Sequence, residues 1–254
     1  KTIYQNAYVR TDSFFDNSPL SSSGLPSDAE LELLNPWRDQ IPSEIFTETF
    51  TPPKTDGSGN ARKNLLQAKE ILQKEGWIIK NDKLTKDGKE FKFEFLIVSP
   101  SDEKIALAYQ SNLKKLGITM EVRTVDSSQY QARLLNYDFD MIKRYWGVSL
   151  SPGNEQQFYW GSEVGKKDGS RNYPGINSPV VDALIEKLIS AKNREELTTA
   201  IHALDRVLLW GHYVVPLYHS NKDRIAYWNF FEYPEKIPLY GIVIESWWVN
   251  KDKQ

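Results

Sequence analysis

The sequence predicts an α/β fold with a small mixed sheet and crossover helices. Residues 91–97 alternate apolar and charged side chains before turning wholly apolar, and residues 118–122 alternate again, as strands do. Between them, residues 105–116 carry a helical apolar spacing that ends at Gly117. A strand–helix–strand unit joins two parallel strands by a right-handed crossover, so we expect parallel pairing here.

The first regular element is predicted to follow Asn60, which we interpret as an N-cap. Apolar residues at i, i+4, i+7 and i+11 then mark one helix face: Ala61, Leu65, Ala68 and Leu72. Gly76 stands where a left-handed C-cap residue is expected. The tripeptide Lys86-Asp87-Gly88 is a hairpin signal, so a turn between two strands follows this helix.

The helix between the two parallel strands is predicted to be capped by Ser99, with Pro100 at its first position. Its buried face is predicted from five residues at helical spacing: Ile105, Ala108, Tyr109, Leu113 and Leu116. A short helix at about 128–136 and a third strand at about 139–145 follow. Three parallel strands with crossover helices make a small α/β lobe.

Two more helices are predicted after a polar and aromatic stretch. The first carries the apolar face Val181, Leu184, Ile185, Leu188 and Ile189, and the second carries Leu197, Ala200, Ile201, Leu204 and Leu208. Residues 214–219 and 224–228 are predicted as strands or extended segments. Asp205 and Arg206 lie inside the second helix, and we interpret them as structural rather than chemical groups.

Composition excludes several functional classes. The net charge is −2 with acids and bases interspersed, which does not favour a polyanion-binding surface, so we expect no nucleic-acid partner. The absence of cysteine excludes a thiol nucleophile, a thiolate metal site and disulfides, and it fits an exported protein. His202 and His212 are too far apart for an i, i+4 metal pair, and no nucleophile-elbow or P-loop motif occurs. We therefore expect no catalytic residue, metal site or cofactor.

The candidate binding site is the loop that follows the third strand. Ligands of parallel α/β sheets bind beyond the carboxyl ends of the strands. This loop offers a guanidinium, aromatic rings, hydroxyls, backbone amides and a carboxylate: Arg144, Tyr145, Trp146, Gly147, Ser149, Ser151 and Glu155. Such groups hold the backbone and termini of a peptide. The alternative interpretation is a satisfied loop with Trp146 in the core.

An ordered series of short motifs covers nearly the whole chain. They are residues 8–13 (YVRTDS), 56–65 (DGSGNARKNL), 75–77 (EGW), 113–118 (LKKLGI), 138–141 (DFDM), 178–185 (SPVVDALI) and 203–208 (ALDRVL), with Val215-Pro216 downstream. Together they resemble the second half of the family 5 extracellular solute-binding proteins of the dipeptide/oligopeptide-binding type. Within that family the resemblance is to the YejA-type branch.

This resemblance implies a periplasmic-binding-protein-like C-terminal lobe of a two-lobed, hinged protein. Residues 1–60 are then an irregular segment leading into the lobe, 61–215 the α/β lobe, and 216–254 a return segment that packs on an N-terminal lobe missing from this chain. The implied function is the substrate-binding component of an ABC importer, not an enzyme. It would capture oligopeptides or modified peptides in the periplasm, act as a monomer, and deliver its ligand to the permease subunits.

The loop departs from the pattern of the dipeptide-binding relatives at one place. Those relatives carry a Trp-Gly-like start and an Asp-Pro, and the Asp pairs with the α-amino group of the peptide. Here Trp146 and Gly147 match, but Ser151 and Pro152 stand at the Asp-Pro position. This favours longer or modified peptides. Whether Glu155 replaces the missing Asp, or the ligand presents no free amine there, stays open.

Two other hypotheses remain. The chain has 8 Trp, 13 Tyr and 11 Phe, and this aromatic content is also typical of a secreted carbohydrate-active enzyme or sugar-binding module. A third hypothesis is a sensor lobe that reports its ligand to a receptor.

Overall fold

The computed structural model describes residues 3–253; positions 1, 2 and 254 of the predicted terminal segments lie outside the described residues. The helices are α1 (Asp28–Leu34), α2 (Glu44–Thr47), α3 (Arg62–Lys74), α4 (Pro100–Lys114), α5 (Ser127–Leu135), α6 (Glu155–Trp160), α7 (Ser162–Gly165), α8 (Pro179–Ile189) and α9 (Arg194–Trp210). The strands are β1 (Val9–Arg10), β2 (Ile78–Lys80), β3 (Lys83–Lys86), β4 (Lys89–Glu90), β5 (Lys92–Ile97), β6 (Thr119–Thr124), β7 (Met141–Ile142), β8 (Tyr218–His219), β9 (Phe231–Glu232) and β10 (Trp248–Val249). Short 3-10 turns occur at Asn35–Trp37, Ile244–Ser246 and Lys251–Lys253.

The central sheet has the order β6-β5-β7, and all three strands are parallel. The predicted parallel α/β arrangement is therefore confirmed. The third strand is shorter than predicted, two residues instead of seven. Asp140 explains the late start of this strand. Its side-chain carboxylate accepts the backbone N–H of Glu94 at 2.8 Å, so this N–H is not available for a backbone hydrogen bond that would extend the pairing of β5 and β7.

The alternation along β5 sends its side chains to two different cores. Phe95 and Ile97 pack with α3, α4 and β3, whereas Leu96 packs on the opposite face with Tyr130 and Leu134 of α5. The predicted buried face of α4 is wrong at Ala108, which is exposed. Ala106 is buried instead, because it lies seven residues, two helical turns, before the buried Leu113.

The predicted helix caps and the predicted hairpin turn are confirmed, except that the N-cap of α3 lies one residue later. Helix α3 has Ala61 as its N-cap, one residue later than predicted, although the side chain of Asn60 does accept the N–H of Arg62 at 3.0 Å. Gly76 is left-handed, with φ +83°. In the hairpin between β3 and β4, Asp87 and Gly88 both have positive φ, as a type I′ turn requires. Helix α4 is capped by Ser99 and begins at Pro100, as predicted.

A third core forms where α8 and α9 pack against the N-terminal segment. Its N-terminal members are fully or almost fully buried: Phe15, Leu20, Leu34, Ile41 and Ile45. Asp205 of α9 holds this segment, since its carboxylate accepts hydrogen bonds from the Ser13 hydroxyl at 2.8 Å and the Ser22 hydroxyl at 2.6 Å. The apolar spacing of residues 1–60 does not predict α1. Its sequence signal is a capping box, in which Ser27 and Glu30 bond to each other's backbone.

Of the two late segments predicted as strands or extended segments, only the end of 214–219 joins a ladder. Tyr218–His219 pairs antiparallel with Val9–Arg10, so a strand from the start of the chain meets one from its last quarter. Residues 224–228 take no strand partner within residues 3–253. No helix in that range is long and apolar enough to cross a membrane.

Candidate functional site

The carboxyl edge of the parallel sheet carries an ion pair between two neighbouring strand ends. Lys143, just after β7, pairs its Nζ with the carboxylate of Asp102 in the first turn of α4. Burial lowers the pKa of Lys143, but the hydrogen bond and charge of Asp102 outweigh it, so the pKa is raised and the ammonium stays charged. The same ammonium lies 5.8 Å from the centre of the Tyr218 ring. Lys143 thus joins the sheet edge to β8.

Three tyrosines from both ends of the chain cluster beside this ion pair. The ring centres of Tyr4, Tyr8 and Tyr218 lie 4.7–5.1 Å apart, and the hydroxyls of Tyr4 and Tyr218 are 2.9 Å apart. Burial, followed by the hydrogen bond with Tyr218, raises the pKa of Tyr4, so its hydroxyl stays protonated. The cluster fixes the N-terminal segment next to the candidate loop.

Arg144, the next residue, contacts an aromatic ring and forms no ion pair with any of residues 3–253. Its guanidinium carbon lies 5.1 Å from the centre of the Tyr173 ring, and Nη2 donates to the Tyr173 hydroxyl at 3.3 Å. Its Nε is buried and has no hydrogen-bond partner among residues 3–253. The guanidinium of Arg144 is therefore held against the Tyr173 ring, while its Nε–H has no acceptor among these residues.

The two aromatic residues of the loop behave differently. Trp146 is half-buried: its ring centre lies 4.9 Å from that of Trp160, and its Nε1 donates to the carbonyl of Arg171 at 3.3 Å. Tyr145 is 85% exposed. A Cβ at Gly147 would meet no atom of the described residues 3–253 within 4 Å, apart from its chain neighbours. The loop thus carries one packed ring, that of Trp146, and one exposed ring, that of Tyr145.

The polar residues further along the loop bond mainly to their own backbone. The N–H of Ser151 donates to the Ser149 hydroxyl at 3.1 Å. Glu155, the first residue of α6, accepts the N–H of Gly153 on both carboxylate oxygens, at 2.9 and 3.0 Å. These contacts stabilise the turn that leads into α6.

Among the seven predicted site residues, the structure brings Arg144 and Trp146 together on one ring, Tyr173, with the Trp146 and Tyr173 ring centres 6.3 Å apart. Sequence reasoning missed Tyr173, Asp102 and Lys143. Asp102 had a readable signal, since a helix that starts at Pro100 places its first turn at the sheet edge. Tyr173 had none, because it comes from a loop about 30 residues away. Within residues 3–253 no group of three or more His, Asp or Glu side chains is arranged to hold a metal ion.

Comparisons with known proteins agree on one family. Residues 1–168 match the family described as bacterial extracellular solute-binding proteins, family 5 Middle. An uncharacterized protein, y4wM, of Sinorhizobium fredii is 48% identical over 98% of this chain and 38% of its own length. The probable peptide-binding protein YejA of Agrobacterium fabrum is 41% identical over 99% of this chain and 41% of its own length.

A solved structure shows the same fold. The oligopeptide-binding protein AppA of Bacillus subtilis, solved in complex with a nonapeptide, superposes with a TM-score of 0.57 at 21% identity, over 88% of this chain and 45% of its own. The chain spans about two fifths of the length of the curated relatives. The predicted periplasmic-binding-protein-like α/β fold is confirmed by this likeness. The family model matches residues 1–168, which is more than half of the chain, and this shows that the chain belongs to the family 5 bacterial extracellular solute-binding proteins.

Proposed function

We propose that this chain is the C-terminal lobe of the substrate-binding component of an ABC importer. It captures oligopeptides or modified peptides in the periplasm and delivers them to the permease subunits, without chemistry on the ligand. Membership of a solute-binding family supports a binding role. The name of its Agrobacterium relative, probable peptide-binding protein, supports peptides as the ligand class.

The observation that carries this proposal is the exposed loop at the carboxyl edge of the parallel sheet. Tyr145 projects into solvent between Arg144 and Trp146, which are both anchored on neighbouring rings. Exposed rings beside free hydrogen-bonding groups supply contact area and orientation for a peptide. Arg144, Tyr145, Trp146, Gly147, Ser149, Ser151 and Glu155 are the ligand-binding residues of the proposal.

The return segment 216–254 supports a second lobe. Several of its large apolar side chains are more than half exposed: Trp228, Ile237, Leu239, Tyr240 and Ile244. Such a concentration of exposed apolar side chains marks an interface. We propose that they pack on an N-terminal lobe, and that the full-length protein is a monomer whose two lobes close on the ligand. The domain division at residues 60 and 215 is part of this proposal.

Small-angle scattering of the full-length protein tests the proposal. Ligand binding shifts an open–closed equilibrium by its differential affinity for the closed state, so a mixture of oligopeptides should lower the radius of gyration. The mass of any molecule that co-purifies with the full-length protein identifies the ligand. A peptide or peptide derivative supports the proposal. A glycan, or no compaction with any peptide, contradicts it.

A further inference from the structure

A groove lies between helix α3 and strand β2, away from the candidate ligand loop. Its volume is about 280 Å³. Lys69 of α3 and both Ile78 and Ile79 of β2 line it, and Trp77 and Leu84 add further apolar surface. The side chain of Ile78 is 61% exposed and that of Ile79 is 46% exposed. The β2 groove is therefore an apolar depression that stays open to solvent beside two large aliphatic side chains.

The β2 groove runs along the edge of a sheet. Successive side chains of a strand point to opposite faces, so a groove lined by both Ile78 and Ile79 follows the edge of the strand and not one of its faces. β2 is the outer strand of the sheet β2-β3-β4, and in the described part of the chain it pairs with β3 alone. The other edge of β2, which faces the groove, has no strand beside it.

The backbone groups of Ile79 point to this free edge. Ile79 lies opposite Leu84 in the antiparallel pair of β2 and β3. Leu84 directs both of its backbone groups away from β2, since its N–H donates to the Gly117 carbonyl at 2.7 Å and its carbonyl accepts the N–H of Phe91 at 2.8 Å. Ile79 and Leu84 thus form a non-hydrogen-bonded pair, in which the N–H and C=O of Ile79 also point outward. An extended chain in the groove could bond to both.

The surroundings of the groove are basic. Residues 62–92 hold nine Lys and Arg against five Asp and Glu, although the whole chain has a net charge of −2. Lys69, Lys74, Lys80 and Lys86 form no ion pair with any of residues 3–253. This charge is complementary to an acidic partner. It disfavours a second copy of the chain, because pairing two β2 edges would bring the same lysines together.

The groove is also separate from the surface proposed to meet an N-terminal lobe. Leu84 and Trp77 belong to a core whose members all lie between residues 65 and 141. The return segment 216–254 contributes no residue to that core or to the lining of the groove. The occupant that fits the groove is therefore a different protein.

We propose that the β2 groove binds an extended segment of a partner protein in which apolar residues alternate with Asp or Glu. The segment adds a strand to β2 through the N–H and C=O of Ile79, and its apolar side chains fill the groove. Its carboxylates lie near Lys69 and Lys80. This interaction goes beyond the proposed capture of a ligand and does not depend on what the loop at residues 144–155 binds.

A synthetic probe tests the proposal with the full-length protein. The probe is an acetylated and amidated hexapeptide of alternating Glu and Val with a fluorescent label, and its counterpart has Lys in place of each Glu. Fluorescence anisotropy should show at least about 10-fold tighter binding of the acidic peptide. Hydrogen exchange locates the bound peptide, because the Ile79 amide should exchange more slowly when a strand pairs with it.

Variants assign the binding to the groove. Ile78→Asp should weaken binding of the acidic peptide by at least about 10-fold. Ile71→Asp is the matched control, because Ile71 is an apolar side chain of α3 that is 55% exposed but does not line the groove, and it should leave the affinity unchanged. Ile79→Pro removes the outward N–H at an edge position, where proline is tolerated, and should abolish binding. Urea denaturation checks that each variant is folded; if Ile79→Pro is not, Ile78→Asp decides.

Each result supports or overturns the proposal. Equal affinity for the two peptides, unchanged affinity in Ile78→Asp, or slowed exchange confined to residues 144–155 overturns it and leaves ligand capture by the loop intact. Binding to phosphatidylglycerol vesicles that Ile78→Asp removes, without binding of the acidic peptide, assigns the surface to a membrane and also overturns it. Absence of ligand-induced compaction contradicts the proposed function without bearing on the groove.

Discussion

Arg206 and Glu30, 176 residues apart in the sequence, form an ion pair whose Nε–Oε2 distance is 2.5 Å. Both side chains are 6% exposed. Arg206 also donates to the carbonyls of Gly24 at 2.7 Å and Ser23 at 2.8 Å. One guanidinium on α9 thereby fixes helix α1 and the loop before it.

Removing the carboxylate from this pair should destabilise the lobe. Glu30→Gln leaves the guanidinium of Arg206 buried without compensation, and we expect the free energy of unfolding to fall by about 3 kcal/mol. Urea denaturation measures it. The control is Glu163→Gln, which breaks an exposed pair with Lys166 and should not move the urea midpoint measurably. Equal effects of the two substitutions would contradict the structural role of the buried pair.

The cluster of Glu30, Arg206 and His202 should make the free energy of unfolding depend on pH on both the acid and the alkaline side. Burial tends to raise the pKa of Glu30, but hydrogen bonds from His202 and Arg206 lower it to about 2. The folded-state pKa is below the ordinary value of 4.5, so this contribution is complete above pH 4.5 and is lost as the pH falls towards 2. The hydrogen bond to Glu30 raises the pKa of His202, against the effect of burial. That contribution is complete below pH 6.5 and is lost as the pH rises through the raised pKa.

Urea midpoints measured from pH 2 to pH 9 separate the two contributions. Glu30→Gln should flatten the acid side of the profile, and His202→Gln should flatten the alkaline side. If the urea midpoint of Glu30→Gln falls at low pH as steeply as that of the wild type, other carboxylates control acid unfolding.

Two glycines with the same backbone angle should differ in their tolerance of alanine. Gly117 has φ +76° and Gly88 has φ +77°. A Cβ at Gly117 would lie 2.8 Å from the backbone nitrogen of Leu84, whereas a Cβ at Gly88 would have no atom of residues 3–253 within 4 Å apart from its chain neighbours. Gly88→Ala should cost about 1 kcal/mol, from the left-handed backbone alone. Gly117→Ala should cost about 3 kcal/mol, because the clash is added and the 2.7 Å hydrogen bond from Leu84 N–H to the Gly117 carbonyl is displaced. Urea denaturation of the two variants tests the difference.

The exposed ring of the loop should affect binding and not stability. Tyr145→Ala should weaken peptide binding by the full-length protein by at least about 1 kcal/mol, with a change in unfolding free energy within about 0.5 kcal/mol. Trp146→Ala should weaken binding by a similar amount and also destabilise the lobe, since Trp146 packs on Trp160. Calorimetry and urea denaturation together distinguish the two. Unchanged affinity in a folded Tyr145→Ala variant would remove this residue from the site.

The predictable part of the fold rests on short-range chemistry. The alternation of residues 91–97, the cap at Ser99 with Pro100, the left-handed Gly76 and the turn at Asp87-Gly88 all depend on residues within one turn or strand. Local sterics and side-chain periodicity decide such features, and both are readable in order along the chain. The Ser27–Glu30 capping box belongs to the same class, although apolar periodicity alone does not reveal it.

The candidate site was predictable only as a location. The rule that ligands bind at the carboxyl ends of parallel strands predicts the loop after the third strand. The residues that contact this loop come from distant parts of the sequence. Tyr173 accepts a hydrogen bond from Arg144, and Asp102 forms an ion pair with Lys143. Tyr218 lies on β8, which pairs with β1. No spacing rule gives such contacts.

The sequence by itself determined the parallel α/β arrangement, most of the helix faces, the turns and the family, because each depends on neighbouring residues or on ordered motifs. Only the tertiary structure decided that Asp205 binds Ser13 and Ser22, that Arg206 pairs with Glu30, and that Arg144 lies against the ring of Tyr173. The reason is physical: the state of a buried charge depends on which distant groups the packed chain brings within hydrogen-bonding distance, and separation along the sequence carries no information about that.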